Sequence, residues 1–268
     1  MNSFERKLQR QLEICAQEIE DGARTRGLLD KPLRFGRDRI VISDIGQAYF
    51  CEKKLDFDYG AKEEREKLPV EEKEELDKAM VLVQEKQDKG IVGHEAIALT
   101  SGHIEEAILR MIYRDTVLVS GIVDEIQTDS QRITAIERKF REPGAIPKRD
   151  PYLEHMAQAR VYCSCLSYML DRLQMSSISI FYDVAYYPKQ CSECLAFLDN
   201  ECGKCSIREF FTCYSYPFTD AQLAKSNDEV DFVLSYWLQQ RDAKPTKYPN
   251  KCKKCEYRQP TVCLFSLA

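Results

Sequence analysis

Three residues stand out for chemistry: Asp124 in GIVDEI, and Glu137 and Lys139 in AIERKF. Two carboxylates brought side by side are hard oxygen ligands. They suit Mg2+ or Mn2+ and leave coordination positions for water and phosphate. If AIERKF is a strand, alternation sends Glu137 and Lys139 to the same face. An ammonium there can orient or activate a water and offset charge developing on a phosphate. The chemistry that needs this set is phosphodiester hydrolysis. Alone, the pattern is weak, because a surface hairpin with one salt bridge would show it too.

Neighbouring segments add to it. Upstream, GIVGHE (residues 90–95) opens a helix-like stretch in which His94 offers a further metal ligand. Downstream, Gln158 and Tyr162 in QARVY are four residues apart and share one helix face. The amide can hold a phosphate or the lysine, and the ring can stack on a base or sugar. The bland alternative for both is ordinary helix packing.

Twelve cysteines in a chain with no apolar signal-like segment at its start point to metal rather than disulfides. Cys191-Ser-Glu-Cys194 and Cys202-Gly-Lys-Cys205 are two C-x-x-C pairs on a short loop. They predict a structural tetrahedral site, Zn2+ by ligand type, with two disulfides or a second cluster as alternatives. Cys252-Lys-Lys-Cys255, Cys263 and the distant Cys51 make a second set. Four thiolates complete either a zinc tetrahedron or an iron–sulfur cluster, and spacing does not choose between them. Cys15, Cys163, Cys165 and Cys213 are read as small buried hydrophobes.

The elements that must position these residues follow from periodicity. Residues 3–22 carry apolar or small side chains every three or four positions, a helix. Arg39–Ile42 reads as a short strand, with Ser43 or Asp44 as the N-cap of a following helix. Residues 62–89, rich in Glu and Lys, predict an exposed helix interrupted at Pro69. Residues 90–100 and His103–Tyr113 predict two more helical pieces. Thr116–Thr128 and Arg132–Phe140, joined at Asp129-Ser130, form a β-hairpin pattern. Tyr152–Leu173 is a long helix, Ser177–Tyr187 and Ile207–Tyr216 are strands, and Asp220–Arg241 is the last long helix. The order predicts an α/β fold with a central mixed sheet flanked by helices.

With 268 residues and 44% hydrophobic content the chain can bury a large core. The charge of −5 argues against binding nucleic acid by bulk electrostatics. Any such contact must be local, through Arg138, Lys139, Arg141, Lys148 and Arg149, or through the lysines of 244–254 and Arg258. Nothing approaches the roughly 18–20 apolar residues of a membrane span, so no membrane partner and a cytoplasmic location are expected.

Taken in order, G-x-x-x-H, GIVDEI, IERK and Q-x-x-x-Y resemble the RecB-like branch of the PD-(D/E)XK nucleases. Within it, they are most similar to the CRISPR-associated iron–sulfur exonucleases, the fourth Cas protein. The likeness runs from about Ile42 to Cys263. It implies a restriction-endonuclease-like core at 90–187, an N-terminal helical region at 1–89 and a closing region at 207–268; the cysteine knuckle at 188–206 is an insertion whose role the resemblance does not supply. It implies metal ligation by His94, Asp124, Glu137 and the backbone carbonyl of Arg138, catalysis by Lys139, and substrate binding by Gln158 and Tyr162. It also implies a [4Fe–4S] cluster, [2Fe–2S] in some members, on Cys51, Cys252, Cys255 and Cys263. Seven residues part Cys255 from Cys263, more than the family spacing. The implied activity is a Mg2+- or Mn2+-dependent exonuclease on single-stranded DNA ends, 5′→3′, preparing DNA for CRISPR spacer acquisition beside an integrase. A stand-alone RecB-like repair nuclease and a non-catalytic, metal-stabilised DNA- or partner-binding module are the rival readings.

Overall fold

A computed structural model describes residues 1–70, 72–84, 103–129, 131–188, 212–259 and 262–267. Helix α1 (Ser3–Thr25) is followed by β1 (Arg39–Val41), α2 (Ile42–Lys67), β2 (Ile104–Tyr113), β3 (Val117–Thr128) and β4 (Arg132–Arg141). Helix α3 (Leu153–Arg172), β5 (Ser179–Pro188), β6 (Thr212–Pro217), α4 (Asp220–Trp237) and the short α5 (Pro249–Cys252) complete it. The sheet is mixed, in the order β1-β3-β4-β5-β6, with β2 alongside β3. β1 runs parallel to β3 and β4 parallel to β5, while the β2–β3, β3–β4 and β5–β6 pairs are antiparallel.

α1 forms because Leu8, Leu12, Cys15, Ile19 and Ala23 repeat at helical spacing and make one buried stripe against the sheet. Its start is fixed by a capping box. The Glu5 N–H donates to Asn2 Oδ1 at 2.9 Å, and the Asn2 N–H donates to Glu5 Oε2 at 2.7 Å. α3 is buried on nearly every side, including Gln158, Arg160 and Tyr162, as a helix packed between layers must be. Arg160 is tied to Glu229 of α4 at 2.9 and 3.2 Å, both side chains buried. Removing either partner would strand a buried charge.

The expected helix at His103–Tyr113 is instead strand β2. Glu, Ala, Leu, Arg and Met favour helix locally, but the segment pairs with β3 from Ile104↔Ile126 to Tyr113↔Val117. The sheet's long-range pairing overrides the local preference. α2 also starts earlier than expected. Val41 is its N-cap, with no side-chain cap, and Asp44 lies buried in the first turn. α2 ends at Lys67, just before Pro69, and helix resumes over residues 72–84. No helix among the described residues is long and apolar enough to cross a membrane.

A second, smaller apolar cluster joins the two ends of the chain. Phe57 of α2 stacks on Tyr257 with centroids 4.8 Å apart, and Leu76, Ala79 and Val262 pack around them. Beside it, the fully buried Glu52 accepts from Arg241 at 2.6 Å on each oxygen and from the Lys244 N–H at 2.7 Å. This pairing clamps the segment after α4 onto α2.

Asp44 is 1% exposed and accepts from the Tyr59 hydroxyl at 2.8 Å. Burial pushes its carboxyl up to about 6, although Tyr59 and the Arg37 charge oppose the shift. The folded pKa exceeds the unfolded one, so stability is lost as pH rises from about 4 to about 6, on the order of 2–3 kcal/mol. Asp44→Asn lacks this term. Urea unfolding should therefore show the mutant gaining on the wild type by that amount between pH 4 and pH 7. A difference that stays flat across this range would refute the assignment.

Candidate active site

The site is built on a fork in the sheet. β2 pairs with one edge of β3 from Val117 to Ile126. On the other edge β1 pairs with Leu118–Ser120 and β4 with Glu125–Thr128. Gly121–Asp124 therefore face a gap between two diverging strands. The backbone groups there must find partners other than a ladder. The Tyr162 hydroxyl donates to the Ile122 carbonyl at 2.7 Å. Asp124 Oδ2 accepts the Arg138 N–H at 2.6 Å. In an extended strand the N–H and C=O of one residue point to the same neighbour. The Arg138 carbonyl thus turns toward the gap and Asp124.

The β2 side is irregular at the same level. The ladder skips the Glu106 and Asp124 positions, and Glu106 takes a left-handed φ of 52°. Such a conformation in a non-glycine residue is a local strain of the kind that clusters at functional sites.

An open cleft of about 510 Å3 lies over the fork, lined by Asp124, Glu137, Lys139, Gln158 and Tyr162. These are five of the residues singled out in the sequence. Lys139 pairs with Glu137 and donates to Gln158 Oε1 at 3.2 Å. Gln158 Nε2 in turn donates to the Tyr162 oxygen at 3.4 Å. A polar relay therefore runs from the lysine to the Ile122 carbonyl. Burial drives the Asp124 carboxyl up, against the Lys139 charge and the Arg138 N–H. Burial, with Glu137 and Asp124 nearby, also pushes the Tyr162 phenol well up, so it stays a protonated donor.

Alternation sends Arg138 to the other face. Its side chain is 1% exposed, bonded to Glu105 at 2.9 and 3.1 Å and paired with Glu125. Burial works against the Arg138 charge, but the two carboxylates outweigh it and raise its pKa. The guanidinium is an anchor beneath the site rather than part of a basic surface. Tyr162 departs from expectation in a similar way. Only 3% exposed, its ring packs at Gly121 and leaves no open face for stacking on a base.

Two glycines seat the helices that carry these residues. A Cβ on Gly121 would lie 2.9 Å from both Tyr162 Cε1 and Ile42 Cβ. One on Gly46 would lie 3.0 Å from the Glu154 carbonyl and 3.2 Å from Gln158 Oε1. The sequence signal was the isolated glycine inside a strand, a mark of close approach. His155 also escaped notice, although it precedes Gln158 by three residues on the same helix face. It bonds the Tyr186 hydroxyl at 2.8 Å and Arg141 at 3.0 Å. Burial and the charges of Lys139, Arg141 and Lys251 hold its pKa well down, so it is neutral.

The second constellation is also brought together. Cys51, Cys252, Cys255 and Cys263 line a single cavity. Cys51 sits at a break in α2, with φ −172° and ψ 115°. Its sulfur accepts the Thr246 N–H at 3.3 Å. Burial pushes the Cys255 thiol up to about 12 and raises that of Cys263. Among the described residues no three His, Cys, Asp or Glu side chains converge as a ready-made ligand set for one metal ion. His94 and the knuckle cysteines Cys191, Cys194, Cys202 and Cys205 lie outside the described residues. Of the remaining cysteines, Cys15, Cys163 and Cys165 are buried as expected. Cys213 is exposed on β6, because that strand has a solvent-facing side.

No protein-family profile matches the sequence, and no curated protein matches it. Among solved structures, the protein designated SSO0001 is similar over 86% of this chain and 87% of its own, at 13% identity and TM-score 0.45. A candidate exonuclease from Eubacterium rectale is similar over 80% of this chain and 72% of its own, at 10% identity and TM-score 0.31.

The packing at the fork carries a direct prediction. Gly121→Ala should cost about 1–3 kcal/mol, the usual range for overpacking, read as a lowered urea midpoint. Unchanged stability would show that Tyr162 and Ile42 do not need the missing side chain.

Proposed function

We propose that the chain is a metal-dependent DNA exonuclease that hydrolyses phosphodiester bonds at single-stranded ends in the 5′→3′ direction. The observation that carries this reading is the lining of one cleft by Asp124, Glu137, Lys139, Gln158 and Tyr162. Asp124 and Glu137 are hard oxygen donors side by side, and the Arg138 carbonyl faces the same gap. This donor set fits Mg2+ or Mn2+, with His94 as a further ligand. Such an ion supplies Lewis acidity toward the phosphate and makes water a stronger nucleophile.

The chain's own groups do the rest. Lys139, held by Gln158 and Glu137, places a positive charge beside the reacting phosphate. Gln158 and Tyr162 fix that lysine and close the fork beneath it. Water adds to phosphorus as the bond to the leaving oxygen breaks, and a proton is taken up by that oxygen.

In the same reading, Cys51, Cys252, Cys255 and Cys263 hold a [4Fe–4S] cluster, or [2Fe–2S], that staples α2 to the chain's end. The support is their shared cavity and the break in α2 at Cys51. Cys191, Cys194, Cys202 and Cys205 hold a structural Zn2+. The resemblance of the motifs to the CRISPR-associated exonucleases supplies the pathway, trimming of DNA for spacer acquisition with an integrase as partner.

Anaerobically purified protein should degrade end-labelled single-stranded DNA with Mn2+, and should carry about four iron atoms per chain for [4Fe–4S] or about two for [2Fe–2S]. Asp124→Asn, which keeps an acceptor for the Arg138 N–H, and Lys139→Ala should each lower the rate by at least roughly 100-fold with the fold retained. Full activity in either variant would sink the assignment.

A further inference from the structure

The cleft extends beyond the proposed reacting centre, and its far end is built differently. Moving back along β3 from Asp124, the floor is Ile122 and its cross-strand partner Ile108, which are 55% and 41% exposed. Apolar side chains this open, beside the carboxylates, can take apolar surface of a sugar or base out of water. Beyond them lies Ser120, roughly 13 Å from Asp124 at the strand rise of about 3.3 Å per residue. Arg110 is its direct partner on β2, and Arg39 stands on β1, two residues from Ser120's other partner, Val41. Both arginines line the cleft.

These two guanidiniums converge on one carboxylate. Glu20 of α1 meets Arg110 at 2.5 Å and Arg39 at 3.1 Å, and lies 3.6 Å from Arg24. Arg39 has a second acceptor in Asp38, at 2.7 Å. Arg110 also donates to the Ala16 carbonyl at 2.9 Å. Arg110 and Arg39 therefore reach the cleft's end backed by Glu20 and Asp38, with Asp21 also acting on Arg110 and Arg37 on Asp38.

We propose that Arg110 and Arg39 hold a second phosphate of a single DNA strand, with Ile108 and Ile122 seating the nucleoside between it and the reacting centre. The proposal rests on the hydrolytic reading of the cleft and deepens it. The substrate is a strand with at least two phosphates, lying along β3 from the fork toward β1. A duplex would keep its bases stacked and offer the isoleucines nothing. Arg110 is a binding residue here, and Glu20 is the group that holds it in place and tempers its charge.

Two measurements test this. The first is binding of a labelled single-stranded oligonucleotide with Ca2+ in place of the active cation, followed against salt. Arg110→Met should weaken binding roughly tenfold and lower the salt slope by about 0.7, the value of one lost phosphate contact. Arg110→Lys should keep most of the slope. Glu20→Gln removes the competing charge and should tighten binding. The second compares hydrolysis of the oligonucleotide with that of thymidine 5′-(p-nitrophenyl phosphate), which has one phosphodiester. Arg110→Met should lower kcat/KM for the oligonucleotide roughly tenfold more than for the ester. If Arg110→Met and Glu20→Gln weaken binding alike with the wild-type slope, the cluster only pins α1 to the sheet and the proposal falls. Equal losses on both substrates would overturn it as well. Should the wild type hydrolyse neither substrate, the hydrolytic reading fails, while the salt slopes still decide whether a phosphate seat exists.

Discussion

The rest of the site depends on one constraint: β3 has two strand partners on a single edge, and they diverge. Where β1 has ended and β4 has not yet joined, Gly121–Asp124 lose their ladder on that edge. Buried N–H and C=O groups left alone are costly, about 1–3 kcal/mol each. Asp124 and Tyr162 are placed where they take over that pairing, at 2.6 and 2.7 Å. The same opening gives the cleft its place. In open α/β sheets, ligands collect where neighbouring strands part company. A single topological feature thus explains the buried acid, the inward-turned Arg138 carbonyl and the tyrosine beneath them.

Strand alternation then divides the labour within Glu137-Arg138-Lys139. Two of these residues face the cleft, and the third turns through the sheet to Glu105 and Glu125. The buried ion pairs on the far face hold β4 in register. A slip of one residue would exchange Lys139 for an anchor and bury the wrong charges. The two ends of the chain are joined by comparable means. Glu52, immediately after Cys51, fixes the segment that leads to Cys252, so the clamp and the cysteine cavity form one unit.

Much of this was legible in the sequence because the signals were local. The hairpin's alternation placed Asp124 opposite Glu137, and helical spacing put Gln158 and Tyr162 on one face. The misses were non-local. IEEAILRMIY has good helix formers, and only pairing with β3 makes it a strand. Arg39 and Arg110 look like scattered surface charges until β1 and β2 bring them to either side of Ser120. Tyr162 reads as a stacking platform from its helical spacing with Gln158, yet its ring is used up against Gly121. Cys213 reads as a buried hydrophobe, but β6 has an open face.

The central claim is that the fork is a cation-binding, hydrolytic centre, and anomalous diffraction from crystals soaked in Mn2+ tests it most directly. The account predicts a strong manganese peak between the Asp124 and Glu137 carboxylates, beside the Arg138 carbonyl. A saturating soak that leaves no manganese at that position would contradict it.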